Sequence, residues 1–239
     1  MAEAPPPALS IVVPCYNEEQ RLPRTIKQIE RYLAGRGISY ELILVDDGST
    51  DGTRQIMDAA AERNNCVRIE ALPQNRGKGR ALAEGVAAAR GLEILVTDAD
   101  LSTPIEELDK LQPELNRGAG VVIASRALRA SRVEVSQPIY RVLMGKVFNL
   151  LVQIVLLPGI WDTQCGFKLF RADVAHDAFA KLTTDGFGYD PEVLFRAKQR
   201  GVRIAEIPVI WRNSSPTKVS PIKSSLDMFR HVLRIRFRL

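Results

Sequence analysis

Asp98 and Asp100 stand one residue apart at the end of the apolar run Leu92–Val96, in the segment L-E-I-L-V-T-D-A-D-L-S. Carboxylate oxygens on a strand-to-loop turn suit a hard divalent cation such as Mg²⁺ or Mn²⁺. Such a cation is seldom caged by protein alone and is usually shared with substrate phosphates, so the pair points to a nucleoside diphosphate donor. A D-x-D pair also occurs in ordinary surface turns, so its meaning rests on what else converges on it.

Three other polar motifs follow apolar runs in the same way: Pro14-Cys-Tyr16-Asn17-Glu18, Asp46-Asp47-Gly-Ser and Ser125-Arg126. In open α/β sheets ligands bind in the crevice outside the carboxyl ends of the strands, and four runs aiming polar residues at one edge is the strongest pattern here. A carboxylate such as Asp47 at a strand end accepts hydrogen bonds from a ribose or base. The same Asp, Ser and Thr residues also serve as helix caps. An EF-hand reading from Asp46 fails, because the twelfth residue is Met57 and no helix precedes the loop. Arg76-Gly-Lys78-Gly79 pairs two cations with glycines that admit a ligand to the backbone, ahead of a helix N-terminus. Its spacing is not that of a P-loop, and a surface turn would use glycine equally.

Further along, Asp162-Thr-Gln164-Cys165-Gly166-Phe167-Lys168-Leu-Phe170 and Phe187-Gly-Tyr189-Asp190-Pro-Glu192 mix carboxylates, glycine and aromatics. They read as an acceptor pocket or as core. Trp211-Arg212 and Thr217-Lys218 carry cations on a segment suited to closing over phosphates, or simply to solvation.

Elements must bring these residues together. Short β-type runs alternate with helical periodicity through the first half, which predicts βαβ units and a mostly parallel sheet. Strands are expected at Leu9–Pro14, Tyr40–Val45, Val67–Ala71, Leu92–Val96, Gly120–Ala124 and Arg203–Ile210. Helices are expected at Glu18–Ala34, where Leu22, Ile26, Ile29 and Leu33 recur at helical spacing, and at Thr53–Arg63 and Gly79–Ala89. Pro138–Leu157 reads as a long helix, apolar nearly all round, with Arg141 and Lys146 near its front. Residues 1–8 read as a disordered Pro-rich tail, 9–220 as one α/β domain and 221–239 as a basic amphipathic helix. In that last segment Leu226, Phe229, Val232 and Leu233 form one face, with Arg230, Arg234, Arg236 and Arg238 around it. Such a helix lies on an anionic membrane or packs on the core.

The 239 residues are 46% apolar, enough for one core. A net charge of +5 favours an anionic partner without choosing among nucleic acid, acidic lipid and nucleotide sugar. Cys15, Cys66 and Cys165 are odd in number and widely spaced, as for free thiols in a reducing compartment. Two histidines, His176 and His231, make a His-ligated metal or a Ser-His-Asp triad improbable. The N-terminus lacks the pattern of a signal peptide, and no apolar run is long enough to span a bilayer. Together these point to a cytoplasmic protein able to work at a membrane.

From Ser10-Ile-Val-Val-Pro-Cys-Tyr-Asn-Glu to Glu206-Ile-Pro-Val-Ile-Trp211 the chain resembles a family 2 glycosyltransferase of the GT-A fold. Arg76-Gly-Lys-Gly79, Asp98-Ala-Asp100 and above all Thr163-Gln-Cys-Gly-Phe-Lys-Leu-Phe170 resemble the dolichyl-phosphate β-glucosyltransferase branch and polyprenyl-phosphate glycosyltransferases. Two features depart from it. The branch's eukaryotic members carry an N-terminal membrane anchor not seen here, and their final loop reads Gly-Ser-Lys where this chain has Pro216-Thr217-Lys218.

The resemblance implies a UDP-sugar donor, glucose favoured, held by Pro14, Tyr16, Asn17, Glu18, Asp46, Asp47, Lys78, Asp98 and Ala99. It implies a metal ion on Asp98 and Asp100, and Ser125, Arg126, Arg212 and Lys218 on the acceptor phosphate. Gln164, Cys165, Gly166, Phe167 and Tyr189 would line the acceptor pocket. A polyprenyl or dolichyl monophosphate would attack through an oxygen already ionised, giving a β-linked product without a strong base. A hydroxyl acceptor would instead require a carboxylate base, Asp190 or Glu192. A GDP-mannose donor is the other variant. The basic and apolar helices would hold the enzyme on the cytoplasmic face of a membrane. Nucleic acid is not expected as a partner, since strand-end carboxylates would repel it.

Overall fold

The structure is a computed structural model that describes residues 5–135, 139–186, 188–212 and 231–237. The first half runs β1 (Leu9–Cys15), α1 (Leu22–Ala34), β2 (Tyr40–Asp46), α2 (Thr53–Arg63), β3 (Val67–Ala71), α3 (Lys78–Ala88) and β4 (Glu93–Val96). There follow α4 (Leu108–Asn116), β5 (Val121–Ser125), β6 (Arg132–Val135) and α5 (Ile139–Val155). The remainder is β7 (Lys168–Arg171), α6 (Ala172–Ala180), α7 (Tyr189–Gln199), β8 (Ile204–Pro208) and β9 (Ile210–Arg212).

Seven strands form one sheet in the order β3-β2-β1-β4-β7-β5-β8, and β6 pairs with β9 beside it. The pairs β1–β2, β1–β4, β2–β3 and β5–β8 are parallel. The central strands β1 and β2 are buried along nearly their whole length. Continuous apolar runs of this kind belong to a parallel sheet covered on both faces. Alternate residues accordingly feed two cores. Ile11, Val13, Leu42 and Leu44 pack with the buried side of α1 and α4, while Val12, Ile43 and Val45 pack with α3, α6 and α7.

The expected element at Glu18–Ala34 starts four residues late. Glu18 instead spends its carboxylate on Arg21, at 2.6 Å to both Nε and Nη2, and its N–H on the Thr53 hydroxyl. Pro23 then sits in the first turn, where its missing N–H costs nothing. The run Arg203–Ile210 divides into β8 and β9, which pair with different strands.

Unforeseen in the sequence is β7, antiparallel to both neighbours and inserted between β4 and β5. Four residues beginning with a lysine give no alternating pattern. Its register is what builds the site. Lys168 lies opposite Val96 on one side and Ile123 on the other, two residues short of Asp98 and three short of Arg126.

Before β1 the chain is already tied to the sheet: Leu92 N–H donates to the Pro7 carbonyl and Ala8 N–H to Ser39. At the other end residues 231–237 are helical, and Val232 and Ile235 are buried against the α3/α6/α7 core. The remainder of the expected 221–239 helix, Lys218 and Phe187 lie outside the described residues. On α5, Phe148 and Val152 turn inward while Leu143, Val147, Leu150 and Ile154 face outward.

Candidate active site at the carboxyl edge of the sheet

Asp98 follows β4 and receives the Lys78 ammonium on Oδ1. Lys78 opens α3 directly after Gly77, whose φ of 100° suits only glycine and turns the chain from loop into helix. Burial opposes both charges, but each supplies the other's compensation. The Lys78 charge and hydrogen bond, with Lys168 and Arg126 beyond, hold Asp98 below the usual carboxylate range. Asp98, Asp190 and Asp100 likewise raise Lys78. The ionised form of Asp98 is thereby favoured.

Asp100 lies 3.8 Å from Arg21 and accepts the Ser102 N–H at 2.9 Å. Between them Leu101 adopts φ 45°, a left-handed conformation that is rare for a branched side chain and marks local strain. Thr25 of α1 pins the same turn by donating to the Ala99 carbonyl at 2.5 Å. Gly166 packs against Asp98 so closely that a Cβ there would stand 2.5 Å from the Asp98 Cγ. The turn leading into β7 thus bounds the place of the Asp98 carboxylate.

The ends of β1 and β2 are stitched together beside it. Asn17, also left-handed at φ 55°, accepts the Thr50 N–H at 2.8 Å and donates its own N–H to the Ser49 hydroxyl. Asp46 caps this turn by accepting the Ser49 N–H. Asp47 is occupied differently from the expectation. Its oxygens accept the N–H groups of Arg76 and Gly77 at 2.7 and 2.9 Å and the Asn75 amide at 3.1 Å, so it anchors the Arg76–Gly79 loop. Burial dominates those hydrogen bonds and raises its pKa. Tyr16 is exposed at the rim and Pro14 and Glu18 are partly so.

Past β5, Arg126 forms a bidentate pair with Asp162, Nε to Oδ2 at 2.7 Å and Nη2 to Oδ1 at 2.8 Å. Its guanidinium packs 5.4 Å from the centre of the Trp211 ring. Ser125 beside it is fully buried, its hydroxyl accepting the Ala127 N–H at 3.4 Å. Arg212 pairs with Glu134 at 2.6 Å across β6 and β9.

The expected pocket residues Cys165, Phe167 and Tyr189 are at most 1% exposed, so they form the floor beneath the site rather than its lining. Gln164 is partly exposed. Under Asp98 the buried Lys168 ammonium bonds Asp190 and the Cys165 carbonyl, and Tyr189 lies against both Lys78 and Lys168. Neither expected base is free. Asp190 is held by Lys168, and the fully buried Glu192 accepts Arg196 at 2.8 Å and the hydroxyls of Thr183 and Thr184. Sequence reading placed Asp162 and Lys168 in a segment read as acceptor pocket or core, without foreseeing their ion pairs, and assigned no role to Arg21 or Glu206.

Carboxylates and cations gathered at one strand edge of an α/β sheet make a crevice of the kind in which such folds bind anionic ligands. The glycosyl transferase family 2 model matches residues 10–179, and the chain belongs to that family of glycosyltransferases. The dolichyl-phosphate beta-glucosyltransferase of Homo sapiens is 36% identical over 249 residues, covering 99% of this chain and 77% of that protein. That of Dictyostelium discoideum is 34% identical over 242 residues, covering 96% and 74%. Among solved structures, glucosyl-3-phosphoglycerate synthase from Mycobacterium tuberculosis, in complex with Mn²⁺, UDP-glucose and phosphoglyceric acid, shares the fold. Its TM-score is 0.72 at 20% identity, over 97% of this chain and 79% of that one.

Proposed function

We propose that this glycosyltransferase moves glucose from UDP-glucose to the monophosphate of a polyprenyl or dolichyl lipid, with inversion, on the cytoplasmic face of a membrane. One observation carries the acceptor class. Both carboxylates suited to deprotonating a hydroxyl, Asp190 and Glu192, are locked in buried ion pairs. A phosphate monoester with a second pKa of about 6 arrives already ionised and needs neither. The relatives that share most of the chain are named for a dolichyl-phosphate acceptor, which agrees.

The donor would lie across the β1, β2 and β4 ends, bounded by Pro14, Tyr16, Asn17, Glu18, Asp46 and Ala99, with Asp47 acting through the loop it anchors. Asp98 and Asp100 suit Mg²⁺ or Mn²⁺: both are oxygen donors, partly open to the mouth, and Gly166 leaves the Asp98 carboxylate its place. Among the described residues no cluster of three potential ligand side chains occurs, so the diphosphate and water would complete the shell. Such an ion, when bound, offsets charge on the departing diphosphate. Lys78 adds a second positive charge there. Arg126 orients the acceptor phosphate, whose oxygen attacks the anomeric carbon as the bond to the diphosphate oxygen breaks.

Membrane contact would come through α5. Leu143, Val147, Leu150 and Ile154 recur at helical spacing and are each more than half exposed, as is Trp161 nearby. Apolar side chains with a tryptophan beside them suit the headgroup boundary. Among the described residues no helix is long and apolar enough to cross a membrane. Free Cys15, Cys66 and Cys165 fit the reducing side.

The test is mass spectrometry of lipid after incubation with polyprenyl phosphate, UDP-glucose and Mn²⁺, with EDTA and GDP-mannose arms. A metal-dependent gain of one hexose from UDP-glucose supports the reading. Transfer from GDP-mannose alone overturns the donor, and UDP release with a hydroxyl acceptor but no lipid product overturns the acceptor. A phosphonate acceptor with a higher second pKa should carry the acid limb of kcat/KM upward with it, whereas a fixed limb would reveal an enzymic base.

A further inference from the structure

Arg126 does not offer its whole guanidinium to the mouth. Nε and Nη2 are committed to the two oxygens of Asp162, and the Arg126 backbone N–H adds a third bond to Oδ2 at 2.8 Å. A fork-on-fork pair of this kind fixes the plane of the guanidinium as well as its position. The Trp211 ring covers one face, so the Nη1 edge is what remains to meet an anion.

Asp162 is itself held from behind. Its side chain is 2% exposed, and Glu206 on β8 accepts the N–H groups of Trp161 and Asp162 at 2.8 and 2.9 Å. Burial works against both charges of the pair, yet the attraction and hydrogen bonds between them raise Arg126 and lower Asp162 from their ordinary values. An arginine needs no carboxylate to stay charged at neutral pH. What the arrangement adds is direction, carried from β8 through the 161–162 turn to the end of β5.

We propose that Asp162 and Glu206 are positioning residues for the acceptor, aiming the free edge of Arg126 so that a phosphate monoester docks in one orientation. This rests on the reading of Arg126 as the acceptor-phosphate group. Charged N–H donors held on a fixed edge favour an anion over a neutral hydroxyl, which gives the pair a share in acceptor specificity.

The test compares steady-state kinetics of wild type, Arg126→Ala, Asp162→Asn and Glu206→Gln, with farnesyl phosphate as the soluble acceptor and UDP-glucose as donor. Asp162→Asn should cost about 10- to 100-fold in kcat/KM for farnesyl phosphate, through KM, because a misaimed group of this kind loses that much. Glu206→Gln should act in the same direction and more weakly. The KM for UDP-glucose and the calorimetric affinity for UDP should not move in either. A structural staple alone would lower the amount of folded enzyme and leave both KM values unchanged, which would overturn the proposal. Should Asp162→Asn fail to fold, Glu206→Gln decides alone. If Arg126→Ala raises the acceptor KM while Glu206→Gln does not, the positioning claim falls and the acceptor reading stands. If Arg126→Ala leaves that KM unchanged, the acceptor reading fails first.

Discussion

Replacing Gly166 by alanine tests whether the turn leading into β7 bounds the place of Asp98. Gly166 lies outside the left-handed region, so alanine meets no backbone penalty and the new methyl alone is probed. That methyl would stand 2.5 Å from the Asp98 Cγ and 2.7 Å from Oδ1. Carbon atoms rest about 3.5 Å apart, so the carboxylate must retreat by about 1 Å. It cannot do so and keep its bond to Lys78. Catalytic groups tolerate displacements of about 0.5 Å, and a shift of about 1 Å costs roughly 100-fold in rate. The Asp98 side chain is about one-third exposed and can swing into the mouth, which keeps the stability cost near the lower end of overpacking, about 1 kcal/mol. UDP release measured against UDP-glucose and Mn²⁺ should therefore fall about 100-fold, with a weaker dependence on metal and a nearly unchanged melting temperature. Full activity in Gly166→Ala would refute the placement of Asp98 at the reacting centre, and activity lost only in step with folding would make the glycine a packing residue.

Lys168→Met strands the buried Asp190 carboxylate and should cost about 3–5 kcal/mol in denaturant melts, whereas Lys168→Met/Asp190→Leu should recover most of it; equal losses in both would mean the pair is not the cause. Glu41 is lowered from its ordinary pKa, since hydrogen bonds from Ser10, Arg90 N–H and Arg68 together outweigh burial. Its stabilisation is complete above the unfolded carboxylate pKa of about 4.3 and is lost as pH falls through the lower folded value. Glu41→Gln should thus flatten the acid limb of the melting curve, and an unchanged slope would exclude it as a source. Glutamate at Val147 and Ile154 on α5 should abolish flotation with vesicles while leaving turnover of farnesyl phosphate intact; continued flotation would remove α5 from the membrane contact.

Periodicity alone exposed the βαβ framework. Val12 and Val13 in β1 and the Leu42–Val45 stretch of β2 are continuous apolar runs of the kind a covered parallel strand carries, and α2 and β3 fall where their patterns place them. The later half was less legible. Lys168–Arg171 has no strand signature, because its burial is decided by the neighbours it is slotted between. Ser125, Cys165, Phe167 and Tyr189 looked like ligand-lining residues, and burial made them floor and core. Nothing in one dimension tells which side of a short segment faces solvent.

The sequence by itself determined that carboxylates and cations would gather at one edge of a parallel sheet, since strand direction and the placement of polar motifs after apolar runs are local properties. It also carried the family, in motifs whose residues are contiguous. Which charges are free was decided only by the tertiary structure. Asp190 meets Lys168 across 22 positions of chain, Arg126 meets Asp162 across 36, and Glu206 reaches Asp162 across 44. Ion pairing depends on separations of a few ångströms, and folding sets those between residues that the sequence keeps far apart.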